Sequence, residues 1–162
     1  MIQPLEKILP YKNEFVIKRF LMSHKMTREE AEQIFEDGLR FLWLSATFDE
    51  LRKEDPDVPD ISIAEGMYII DEVWHEFVLL TKMYTDFCNE NFGRYIHHPP
   101  DLHKYFENKK TMGKDKANEI FVSEMVGTVI DYFGEAVAIR WLDTYHKYLP
   151  DNHAELTSHH TD

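Results

Sequence analysis

Apolar residues recur every three or four positions through most of this chain, and strict alternation is rare. That spacing predicts an all-α fold, a single compact domain of about five to six helices. A first helix is expected over about 11–24, although "EFVIKRFLM" taken alone also suits a strand. The next helix begins at Thr27, where T-x-x-E with Glu30 forms a capping-box pattern. Ala31, Ile34, Phe35, Gly38, Leu42 and Ala46 then recur on one face. "LRFLWL", 39–44, is apolar on nearly all sides, which predicts a central helix.

A third helix is predicted from near Ser62, with Asp60 or Ser62 as its cap and a break near Thr81. Thr81 is expected to cap a following helix that carries Tyr84, Phe87 and Cys88, and Gly93 to stop it. "HHPPD" is then extended or turning, because a residue before proline is pushed out of the α region. Two more helices are expected. One runs over about 115–133 with Phe121, Met125, Val129 and Tyr132 inward. The other is "EAVAIRWLDTYHKYL", with Ala138, Trp141, Leu142 and Tyr145 inward. Residues 1–150 are expected to form the domain and 151–162, with His153, His159 and His160, a flexible tail.

Composition narrows the function classes. The 162 residues suit one core, and 43% hydrophobic content is too apolar for a disordered chain. A formal net charge of -12 argues against nucleic acid as the main partner, and makes a protein with a basic patch the complementary one. Lys104, Lys109, Lys110, Lys114 and Lys116 form a local exception, expected to be a solvated loop. A single cysteine, Cys88, permits no intrachain disulfide. With no signal-like apolar run at the start and no stretch long enough to span a membrane, a cytoplasmic protein is expected. The acidic linker "DELRKEDPDVPD" offers Asp55, Asp57 and Asp60 to calcium. Its prolines and its lack of the EF-hand glycine make it a solvated turn instead.

One anomaly interrupts the apolar patterning. On a wheel of residues 63–80, Ile63, Met67, Ile70, Trp74, Phe77 and Val78 form a stripe, and Glu65, Glu72 and Glu76 face the far side. Asp71 and His75 do not join the glutamates. They lie at the stripe's edge, flanked by Ala64, Tyr68 and Leu79. Three readings follow. The first is a structural Asp–His pair, since residues four apart on a helix touch and a half-buried carboxylate needs a partner. The second is a metal site, because two ligands at that spacing converge on one ion. It requires a third ligand from His97 or His98, with Cys88 a weaker choice, and a His/carboxylate set suits zinc or non-haem iron. An extended dipeptide sends successive side chains to opposite sides, so one of His97 and His98 is expected to point inward. The third is metal-free acid/base chemistry at an Asp-oriented His75. His24, His103 and His146 show no partner pattern and are expected at the surface.

The segment "DEVWH", followed by Tyr84, Phe87, Cys88, Phe92, Gly93, Ile96, His97, His98 and Pro100, resembles the glycine-rich domain-containing protein-like family. The family core is roughly D-x-x-W-H-x-H. Asp71, Trp74 and His75 match it, while its second histidine falls at Phe77. The resemblance implies a small helical domain of the short bacterial type, without a glycine-rich region. Two function classes remain: a non-catalytic accessory or protein-interaction module, or a metal-dependent protein, either hydrolase or oxidoreductase, using Asp71, His75 and one of His97 or His98.

Overall fold

A computed structural model describes residues 1–98 and 114–150. Among the described residues there are seven α-helices and no strand. They are α1 (Leu5–Ile8), α2 (Glu14–Ser23), α3 (Arg28–Glu54), α4 (Tyr68–Leu79), α5 (Thr81–Phe92), α6 (Lys114–Phe133) and α7 (Glu135–Leu142). Short 3-10 turns at Glu65–Met67 and Thr144–Tyr148 precede α4 and follow α7. The all-α expectation stands. The helix count rises because α1, only four residues long, carries too little periodicity to register. Its Ile8 is nonetheless fully buried. No described helix is long and apolar enough to cross a membrane.

Local chemistry explains the boundaries. The Asn13 carboxamide oxygen accepts from the backbone N–H groups of Phe15 and Val16, at 3.1 and 3.2 Å, and so starts α2. The Thr27–Glu30 capping box forms in full at the start of α3. This helix is longer than predicted, because Asp49–Glu54 continue it rather than opening the linker. Basic Arg52 and Lys53 occupy its last turn, where cations suit the helix dipole. It stops at Asp55, immediately before Pro56.

At 27 residues α3 is roughly 40 Å long, and α2 and α4 both pack against it. All six of its predicted inward residues are buried. So is Asp37, which the apolar pattern did not single out.

Several boundaries differ. The helix expected from Ser62 starts at Tyr68 instead. Asp60 is held by the Arg52 guanidinium at 3.2 Å and is not a cap. Ile61 and Ile63 both pack on the core with Ser62 between them, the alternation of an extended segment. Thr81 is the first residue of α5, with no side-chain cap, and Leu80 makes the break. Gly93, at φ +72°, ends α5 as expected. Tyr132 is exposed, its ring meeting the edges of Trp43 and Phe48. The last predicted helix splits at Asp143 into α7 and the 3-10 turn. The tail 151–162, His103, Lys104, Lys109 and Lys110 lie outside the described residues.

Gly66 marks a close approach. A Cβ there would sit 2.8 and 2.9 Å from the His146 ring and 3.1 Å from the Leu142 carbonyl oxygen. Gly66→Ala is therefore expected to destabilise the fold by about 1–3 kcal/mol through overpacking. Adding His146→Ala should restore part of that loss, but not all, because the backbone contact remains. Urea titration of the single and double variants checks the ordering.

Candidate metal centre

Asp71 and His75 stand one turn apart on α4, as the sequence predicts. Asp71 is partly buried and its Oδ2 lies 3.7 Å from His75 Nε2. The chain then continues through α5 and Gly93 and returns along residues 95–98. This return brings His98 Nε2 to 2.7 Å from Asp71 Oδ1. The His98 side chain is 14% exposed and its ring lies 4.2 Å from that of His75. One ligand atom from each of Asp71, His75 and His98 lies within 4.8 Å of the other two. Around a tetrahedral zinc ion, ligand atoms about 2.0–2.1 Å from the metal stand roughly 3.3 Å apart. The Asp–His contacts, 2.7 Å to His98 and 3.7 Å to His75, lie near that spacing but use the two different oxygens of the Asp71 carboxylate.

Sequence reasoning left His97 and His98 equivalent. The structure separates them. His97 is exposed and rests against Tyr95, with ring centroids 4.9 Å apart, so it does not join the cluster. Cys88 does not join it either. It is fully buried, and desolvation raises its thiol pKa, as for a small core residue.

The wheel placed two neighbours wrongly. Glu72 and Glu76 are only partly exposed, because they face α2. Glu76 pairs with Arg19 at 2.8 Å and Glu72 lies 3.5 Å from His24. His24 accordingly has a partner and stacks on Phe20. Conversely, His75 is more exposed than expected, with 48% of its side chain open to water. Ile69 and Val73 are buried too, so the apolar face of α4 is wider than the predicted stripe.

A buried relay fixes the returning segment. The Trp74 indole N–H donates to the Tyr84 hydroxyl oxygen at 2.9 Å. The Tyr84 O–H donates to the Ile96 carbonyl at 2.6 Å. Burial, reinforced by Cys88, holds the Tyr84 phenol above its ordinary pKa, so it stays a donor. The Trp74 ring also meets the His98 ring edge-on at 4.1 Å. Nothing in the linear sequence pairs Trp74 with Tyr84, since the contact needs the turn between α4 and α5.

Asp71 and Trp74 also line a cleft of about 400 Å³. Phe41, Ile63 and Ile96 supply apolar wall, and Arg52 and Arg94 stand in the lining. Asp49 bridges the two guanidiniums, pairing with Arg52 and, at 2.6 Å, with Arg94. Asp71 alone of the cluster lines this space, together with His97, and its size is one that small ligands occupy.

The UCP032817-like family model matches residues 13–117, about two thirds of the chain. The chain belongs to the UCP032817-like family. That membership overturns the resemblance to glycine-rich domain-containing protein-like sequences. The D-x-x-W-H pattern behind that resemblance is three residues on one helix face, and Phe77, in place of the family's second histidine, is core at 1% exposure. The UCP032817-like match spans Asp71, His75 and His98, together with Trp74 and Tyr84. No curated protein and no solved structure matches the chain.

Proposed function

We propose that this UCP032817-like protein binds one transition-metal ion, zinc or ferrous iron, through Asp71, His75 and His98. The convergence of these three side chains carries the reading. Two imidazoles and a carboxylate match the donor preferences of both ions, and three protein ligands leave at least one position open to water or a small ligand. Of the three, Asp71 also lines the cleft. Such a site activates water or binds oxygen, which suits a hydrolase or an oxidoreductase. Residues 1–150 act as one domain around it. Asp37 on α3 binds Arg140 and Tyr145 more than a hundred residues away, which supports that unit.

A second reading has its own support. The 2.7 Å contact between His98 and Asp71 is complete without an ion. It would serve as a polar latch in a non-catalytic accessory module. Elemental analysis of the full chain, purified without an affinity tag, separates the two. The metal reading expects about one equivalent more zinc or iron than in the His75→Ala/His98→Ala double variant. Equal metal content in the two proteins favours the latch.

A further inference from the structure

We infer that Tyr84 is the positioning residue of this site, setting its metal affinity by holding the Ile96–His98 segment in the ligating register before an ion arrives. The inference rests on the metal reading above.

His98 is the only one of the three ligands that α4 does not carry. Asp71 and His75 are fixed to each other by the helix. His98 lies on a segment without helix, two residues beyond Ile96. Its place therefore depends on whatever anchors that segment. One anchor is the Tyr84 hydroxyl, fully buried, which donates to the Ile96 carbonyl at 2.6 Å, beside the buried Ile96 side chain and the Cys88 contact to the same backbone. The hydroxyl is itself oriented by the Trp74 indole N–H at 2.9 Å. Trp74 lies between Asp71 and His75 on α4. The relay thus runs from the helix that holds two ligands to the non-helical segment that holds the third. The Trp74 ring also meets the His98 imidazole edge-on, with ring centroids 4.1 Å apart. A segment ordered in this way loses little conformational freedom on binding, so less of the metal–ligand energy is spent on ordering.

Tyr84→Phe keeps the ring and removes only the hydroxyl. Cobalt(II) titration of the full chain, followed by its visible absorption, gives affinity and coordination together. The apparent affinity of Tyr84→Phe is expected to fall about 10- to 100-fold, the range for outer groups that orient a metal ligand. Its cobalt spectrum should change and its helical circular dichroism should not. A purely structural tyrosine would alter the melting temperature but leave the affinity of the folded protein unchanged. If Tyr84→Phe does not fold, Trp74→Phe tests the same relay from its other end, with a smaller loss expected in the same direction. A folded Tyr84→Phe with wild-type affinity and spectrum overturns the positioning role while leaving the metal reading intact. Failure of the wild type to take cobalt at Asp71, His75 and His98 overturns the metal reading, and the positioning role falls with it.

Discussion

Asp37→Ala is expected to destabilise the fold by about 3–5 kcal/mol, as for other buried ion pairs broken from one side. Asp37 has no exposed surface and sits in the middle of α3. Its carboxylate accepts a bidentate pair from Arg140, Nε at 2.6 Å and Nη2 at 2.7 Å. The Tyr145 hydroxyl donates at 2.5 Å and Arg40 Nη1 at 2.8 Å. Charge-assisted bonds of this kind are among the stronger hydrogen bonds. They offset the cost of burying the carboxylate. Removing it strands the Arg140 and Tyr145 donors instead, while Arg40 keeps Glu36 at 2.6 Å. The Asp37 hydrogen bond is the largest cause holding Arg140 above its ordinary pKa, so the guanidinium stays charged. It would then face a desolvated space without its counter-charge. Asp37→Asn should lose nearly as much, since its amide NH2 would meet the donors of Arg140 or Tyr145. The surface pair Arg28–Glu14 is the internal control, because both side chains are about half exposed. Arg28→Ala should cost far less, because solvent screens an exposed pair. Urea titrations of the three variants compare them, and equal small losses would contradict the buried-clamp account.

Trp74→Ala is expected to cost about 3–5 kcal/mol, the range for truncating a large buried aromatic. Trp74 is 7% exposed and packs against Phe41 at 5.4 Å between ring centroids. Its truncation opens a cavity and also leaves the buried Tyr84 hydroxyl without its donor. The His98 ring loses its edge contact at the same time. The substitution should therefore lower the melting temperature and weaken metal binding together. Trp74→Phe retains most of the apolar volume and should give a much smaller shift in melting temperature. Thermal melts followed by circular dichroism check the first effect. If Trp74→Ala and Trp74→Phe melt alike, the cavity argument fails.

The helical course of the chain was legible because long amphipathic helices impose their period on many residues. α3 announced itself by its capping box and by the recurrence from Ala31 to Ala46. Shorter elements were not legible. The 3-10 turns and the non-helical residues 61–63 depend on what Gly66, His146 and Arg52 do in three dimensions. The wheel flagged Asp71 as a carboxylate within an apolar arc. The same test applied to α3 would have flagged Asp37, which lies between Ile34 and Phe41 on a buried face. The choice between His97 and His98 was out of reach. Alternation says that one turns inward, but which one depends on the register of the returning segment, where Tyr84 donates to the Ile96 carbonyl. Glu72 and Glu76 were misplaced for a related reason. A wheel knows one helix, and α2 lies over their side.

The most direct test of the central claim is calorimetric titration of zinc into the full-length wild type and into Asp71→Ala. The histidines at 153, 159 and 160 are common to both proteins, so any binding there cancels in the comparison. Asp71 is partly exposed, so its truncation should leave a folded protein. The wild type should bind one more zinc ion than the variant, in a distinct tighter phase. Superimposable isotherms with equal stoichiometry would contradict it.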